Sequence, residues 1–218
     1  MIKKNFKKRI YTSFILLLLI FLIFIYNPVL VFTLIVLGVL SIIEFFNLIK
    51  KIPINKFYLF ITNFLFVTYI SIFCFIFFLF SNILHLKIIL FILLCASAAS
   101  DIGGFVFGKI FKGPKLTKIS PKKTYSGAIG SIIFTIIVFS GLLFYFSKSF
   151  SPIILIVAII TSIACQLGDL FFSFLKRKAK IKDTGNILPG HGGILDRIDG
   201  ILFAAPIGLF LLDFVSNI

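Results

Sequence analysis

Long apolar runs alternate with short polar interruptions along the whole chain. A run of roughly 20 apolar residues is long enough to cross a bilayer as a helix. Six candidate spans follow directly: Ile10–Tyr26, Val29–Ile49, Phe57–Phe80, Ile88–Phe107, Ile129–Phe146 and Pro152–Phe172. Asn27-Pro28 separates the first two, because proline and the restricted residue before it favour a turn. The last run, Ile201–Val215, has only 15 residues. Extending it back to Ile194 gives 22 and draws Asp196, Arg197 and Asp199 into its opening turns. The pattern predicts an all-α polytopic membrane protein of about seven transmembrane helices.

Composition sharpens that picture. The chain has 218 residues, 60% hydrophobic and 13% charged, with a mean hydropathy of +1.19. Soluble domains are about half apolar and roughly a quarter charged, so a soluble single domain is excluded. A disordered chain, which needs low hydrophobicity, is excluded too. The 22 Lys+Arg against 7 Asp+Glu give a net charge of +15. On so apolar a chain this points to cations gathered at one membrane face and not to nucleic acid. With the N-terminus cytoplasmic, 20 of the 22 cations fall on the inner side, and only Lys87 and Lys148 fall outside. One missed or extra helix would scramble this alternation. The expected location is the bacterial inner (cytoplasmic) membrane. Lys3, Lys4, Lys7, Lys8 and Arg9 ahead of the first run resemble the start of a signal peptide. No small-x-small cleavage site follows, so the run reads as a retained helix. Cys74, Cys95 and Cys165 lie in apolar runs without metal-ligand or disulfide spacing, and read as core residues.

The acids are few enough to take singly. Glu44, Asp101, Asp169, Asp196 and Asp199 fall near the cytoplasmic ends of their spans, Asp183 in the last cytoplasmic loop and Asp213 toward the outer face. Glu44 and Asp213 read as acids that reach headgroup water and pair with a loop lysine. Asp101 is either a further polar contact at a site or half of a buried structural pair. Asp196 and Asp199, three apart, share a helical face. Two such carboxylates repel unless a cation neutralises them. With Asp169 at the same depth on span six, they form a candidate oxygen-ligand set. Without a His or Cys pair, that set favours a hard ion such as Mg²⁺.

Two basic loops accompany these acids. Lys176, Arg177, Lys180 and Lys182 precede Pro189-Gly190-His191-Gly192-Gly193. A glycine-rich turn at the mouth of a helix lets backbone N–H groups approach an anion. The other loop, Gly108–Gly130, carries Ser120-Pro121-Lys122-Lys123-Thr124, without P-loop spacing. Ala96-Ser97-Ala98-Ala99-Ser100 with Gly103-Gly104 lets span four pack closely on a neighbour. His85 is expected in an outer loop, and His191 reads as a structural or phosphate-contacting imidazole.

Ser173-Phe174-Leu175-Lys176-Arg177, Lys182-Asp183-Thr184-Gly185 and Pro189 through Asp199 resemble, without gap, the signature of the phosphatidate cytidylyltransferase (CDP-diacylglycerol synthase) family. Gln166-x-Gly168-Asp169 and the Ser-Pro-Lys-Lys-Thr run are similar to further motifs of that family. The resemblance covers roughly Asp101–Gly200. It divides the chain into residues 1–86, membrane helices without a motif, and 87–218, the catalytic membrane region. It implies transfer of a cytidylyl group from CTP to phosphatidic acid with Mg²⁺, contact with inner-leaflet lipids, and homodimers. By resemblance Asp169, Asp196 and Asp199 hold the metal and, with Lys176, are catalytic. Ser120, Lys122, Lys123, Thr124, Ser173, Arg177, Lys182, His191 and Arg197 bind the substrates. In one departure, Ser126 stands where the family commonly has Glu, so an acidic role there is absent or relocated. A polyprenol-type lipid kinase and a transporter are the competing readings. Acids clustered at one face, without repeated halves, argue against the transporter.

Overall fold

The computed structural model describes residues 15, 18–148, 150–187 and 192–216, with backbone only at 215 and 216. The described residues form seven helices. These are α1 (18–25), α2 (Asn27–Ile49), α3 (Lys56–Ser81), α4 (Leu84–Phe111), α5 (Tyr125–Ser147), α6 (Ile153–Lys178) and α7 (Leu195–Ser216). No strand occurs among them; Lys115 and Thr124 form an isolated bridge. The protein is an all-α polytopic membrane protein. Helices α2 to α6 are each long and apolar enough to cross a bilayer. α7 carries Asp196, Arg197 and Asp199 in its opening turns and Asp213 near its end. The first candidate span lies partly outside the described residues.

Sequence signals place the helix ends. Pro28 sits in the first turn of α2, where its missing N–H is not needed. Thr124 caps α5, its Oγ1 accepting from the Gly127 N–H at 3.1 Å. α6 runs six residues beyond the apolar limit at Phe172, so Ser173, Lys176 and Arg177 stand on its last turns and not in a loop. It ends in a Schellman arrangement: the Ile181 N–H donates to the Lys176 carbonyl at 3.0 Å and the Lys180 N–H to that of Arg177 at 3.1 Å. The left-handed residue is Lys180, at φ 55°. α4 begins at Leu84, so His85 is an exposed residue of its first turn and not of a loop.

The chain forms two compact units, Met1–Asn82 with Leu175–Ile198, and Ile83–Phe174 with Asp199–Ile218. The first unit therefore takes in the segment after α6 as well as the helices before residue 83. Within it, Phe45 and Phe66 stack at 3.7 Å, and Gly38 lets α2 approach Cys74 and Ile70 of α3.

In the second unit α4 and α5 cross at small residues, as Gly103-Gly104 leads one to expect. A Cβ at Gly103 would strike the Gly130 carbonyl, and one at Gly104 would lie 2.7 Å from Ser131 Oγ. Ser131 Oγ in turn donates to the Ser100 carbonyl at 2.7 Å, and Ser100 and Ser162 hydroxyls pair at 3.2 Å. Such close backbone approach and interhelical hydrogen bonding drive helix association where lipid removes the hydrophobic incentive. Ile92, Leu93, Ala96, Phe139, Val157 and Ala158 form the buried centre of this unit. Outward residues such as Phe105 and Phe210 remain exposed on the apolar helix surfaces.

Candidate active site

Polar side chains gather in one cluster in each unit. In the first, the last turn of α6 and the start of α7 meet through an ion pair, Lys176 Nζ to Asp196 Oδ1 at 2.6 Å. The pair is well buried, with side-chain exposures of 13% and 6%. The other oxygen, Asp196 Oδ2, accepts from the N–H of Thr184 at 2.8 Å and of Gly193 at 3.1 Å. Arg177, Lys182, Asp183 and Arg197 are exposed. His191 lies outside the described residues.

Glu44 of α2 belongs to this cluster, which overturns its reading as an acid reaching headgroup water. Its side chain is buried, with the residue only 3% exposed. Oε1 accepts from the Ile194 N–H at 3.0 Å, and Oε2 from the Leu195 N–H and Thr184 Oγ1, each at 2.9 Å. Thr184, quoted within the Lys182–Gly185 stretch, was given no role from the sequence. The signal that could have found Glu44 is its surroundings. It is the only glutamate in the chain, flanked by Ile43 and Phe45, with its nearest lysine six residues on at Lys50.

The expected anion at the mouth of α7 is therefore present, but the chain supplies it. The N–H groups of Gly193, Ile194 and Leu195 are all taken by Asp196 and Glu44. An acid near a helix N-terminus satisfies the orphan donors and the macrodipole together. These three amides are not free to hold a substrate phosphate.

In the second unit, Asp169 of α6 pairs with Lys123 at 2.5 Å, with side chains 32% and 25% exposed. Ser173 Oγ donates to Asp169 Oδ1 at 3.3 Å. The loop before α5 shapes Lys123's approach. The Leu116 N–H donates to the Lys123 carbonyl at 2.8 Å, and the Lys123 N–H to the Ser120 carbonyl at 3.0 Å. Ser120 is half-buried and Lys122 exposed. Ser126 has a structural place. Its hydroxyl donates to the Lys112 carbonyl just past α4 and contacts Thr124 Oγ1 at 3.0 Å. Asp199 is buried at 8% exposure, with Oδ1 accepting from the Gly200 N–H at 2.9 Å. Gly168 lets α6 meet α7 beside Asp199, since a Cβ there would strike the Asp199 carbonyl. The neighbour Asp169 and Asp199 thus flank one helix crossing. Asp101 is exposed on α4.

Among the described residues, no three His, Cys, Asp or Glu side chains gather as a metal-holding group. Asp169 and Asp196 each hold a lysine ammonium instead. The donor set is all carboxylate oxygen, which fits Mg²⁺, an ion usually held by one or two carboxylates plus phosphates and water. Chemically, the two clusters offer hard oxygen donors beside cations able to neutralise a polyphosphate.

The chain was compared with known proteins. The model of the cytidylyltransferase family matches residues 45–215. A phosphatidate cytidylyltransferase of Rickettsia felis is 40% identical over 127 residues, which is 54% of this chain and 55% of that protein. One of Rickettsia bellii is 44% identical over 125 residues, 54% of each chain. One of Staphylococcus haemolyticus is 45% identical over 115 residues, 52% of this chain and 44% of that protein. The matches thus span about half the length of these curated relatives.

Proposed function

The chain belongs to the cytidylyltransferase family, and on that premise we propose that it transfers the cytidylyl group of CTP to phosphatidic acid. The products are CDP-diacylglycerol and pyrophosphate, and the pathway served is phospholipid synthesis. The observation that carries this reading is the reach of the family match, residues 45–215. It takes in every residue of both polar clusters except Glu44. The relatives' shared name points to the same substrates.

A phosphate oxygen of phosphatidate attacks the α-phosphorus of CTP. The bond from that phosphorus to the bridging oxygen breaks, and pyrophosphate leaves. A phosphomonoester with a second pKa near 6 is already a dianion at neutral pH, so the nucleophile needs no strong base. The work left to the protein is positioning and charge stabilisation. Lys176, Arg177, Lys182 and Arg197 neutralise the triphosphate and the charge that develops on pyrophosphate. Lys122 and Lys123, with Ser120, Thr124 and Ser173, hold the substrate phosphates. Asp169, Asp196 and Asp199 are the carboxylates that would hold Mg²⁺, an ion that when bound would supply further neutralisation of the phosphate charge.

The site faces the cytoplasm in this reading, with the N-terminus inside and the protein in the inner membrane. The 20:2 division of cations supports that orientation. CTP then arrives on the side that carries the cations, and phosphatidate from the inner leaflet.

The test is a CTP:phosphatidate assay on the purified chain in mixed micelles, with CTP labelled either in cytidine or at the γ-phosphate. The expected result is cytidine label in lipid, released pyrophosphate, and loss of both on adding EDTA. Lipid carrying the γ-phosphate and no cytidine would identify a kinase, and no turnover at all would defeat the reading.

A further inference from the structure

We propose that Glu44 is a positioning residue that ties Thr184, at the start of the loop before α7, to the first turn of α7, an inference that takes the proposed reaction as its premise. The argument starts from where its two oxygens reach. Thr184 opens the loop, and Ile194 and Leu195 end it. All three donate to the one Glu44 carboxylate, at 2.9, 3.0 and 2.9 Å. A second carboxylate, Asp196, repeats the tie through the Thr184 and Gly193 N–H groups. Both ends of the loop are therefore bound to the same two acids.

The glycines show that the space is shaped around Glu44. A Cβ at Gly185 would strike Glu44 Oε1, and one at Gly193 would strike Glu44 Oε2 and Thr184 Oγ1. Neither glycine has a positive φ, so backbone conformation does not demand glycine at either position. The close carboxylate does.

Glu44 touches no reacting group. It acts through Asp196, whose partner Thr184 it also holds, and through the first turn of α7, which carries Asp196 and Arg197. A charged carboxylate can take three donors on two oxygens. A glutamine in its place has one acceptor oxygen, and its amide N–H₂ must face a backbone N–H. An unmatched buried donor there loosens the first turn of α7 from Thr184.

The test compares wild type with Glu44→Gln and Glu44→Asp, as the full chain in phosphatidate-containing mixed micelles. The measurements are amide hydrogen exchange and steady-state kinetics normalised to folded protein. For Glu44→Gln the Ile194 and Leu195 amides are expected to exchange at least tenfold faster, with α3 amides unchanged. kcat is expected to fall at least tenfold while KM for CTP shifts less than threefold. Glu44→Asp, which keeps the charge, is expected to recover part of the lost kcat. A purely structural residue would instead speed exchange throughout and leave kcat per folded molecule unchanged. That outcome, or unaltered exchange at Ile194 and Leu195, overturns the proposal. Should Glu44→Gln fail to fold, Thr184→Val removes one of the three donors and is expected to give the same local exchange in smaller degree. Unchanged exchange in that variant counts against the proposal. Wild-type protein without cytidylyl transfer would sink the proposed reaction, whereas the exchange measurement still decides whether Glu44 fixes the start of α7.

Discussion

The two ion pairs offer a controlled comparison. Lys176–Asp196 and Lys123–Asp169 are nearly equal in length, 2.6 and 2.5 Å. Their burial differs: 13% and 6% side-chain exposure against 25% and 32%. At equal distance the local dielectric decides the strength. A buried pair repays its desolvation only when the remaining lone pairs are satisfied. Asp196 meets that condition through the Thr184 and Gly193 N–H groups. Lys176→Met would strand a buried carboxylate at a cost of about 3 kcal/mol, the lower end of the usual range because those two N–H donors remain. Lys123→Met should cost less than about 1 kcal/mol, since solvent screens a pair that is a quarter to a third exposed. Double-mutant cycles isolate each pair: Lys176→Met with Asp196→Asn, and Lys123→Met with Asp169→Asn. The expected coupling is about 2 kcal/mol in the first cycle and below about 1 kcal/mol in the second. The assay is reversible unfolding in mixed micelles on addition of a denaturing detergent. Equal couplings, or a larger one at Asp169, would refute the argument from burial.

Three further outcomes are expected. Lys180→Gly should raise unfolding stability by roughly 0.5–1 kcal/mol, because glycine relieves the left-handed strain at the end of α6 at some entropic cost in the unfolded chain; the same micelle titration measures it. Thr124→Ala should cost about 1 kcal/mol through the lost cap on α5, and Thr124→Ser should restore most of it. Asp199→Asn should lower cytidylyl transfer at least 100-fold while membrane insertion stays normal, and Lys50→Ala should stay within twofold of wild type; substantial turnover in Asp199→Asn would remove that aspartate from the reacting site.

Hydropathy alone carried most of the helices, because a span must be long and apolar whatever it packs against. Its errors lie where a helix leaves the apolar zone. α6 continues through Ser173, Lys176, Arg177 and Lys178, since polarity does not end a helix and cations suit its last turn. The tight crossing of α4 on α5 was legible in Gly103 and Gly104, because a missing Cβ has one local meaning in a packed helix. Asp196 was legible as an acid in need of a cation. Its occupant in the structure is the ammonium of Lys176, twenty residues away. Glu44's partners were not legible, because a carboxylate's environment depends on what the chain brings to it. Its three donors lie 140 to 151 residues further along, and local sequence offers only Lys50 and Lys51.

The glycine-rich turn shows how that difference alters a functional argument. Glycines beside a helix start ordinarily signal room for a phosphate, because backbone N–H groups and the helix dipole both favour an anion there. That physics operates at α7, yet the room at Gly185 and Gly193 is filled by Glu44. An internal carboxylate and a phosphate are alternative solutions to the same need, and one set of amides cannot serve both. With Gly193, Ile194 and Leu195 committed, neutralising a substrate polyphosphate in this unit falls to side-chain cations. Arg177 and Lys182, both exposed, meet it from solvent, whereas Lys176 shares its ammonium between the substrate and Asp196. The loop's glycines then serve substrate binding indirectly: they admit the acid that fixes the start of α7, and α7 carries the aspartates.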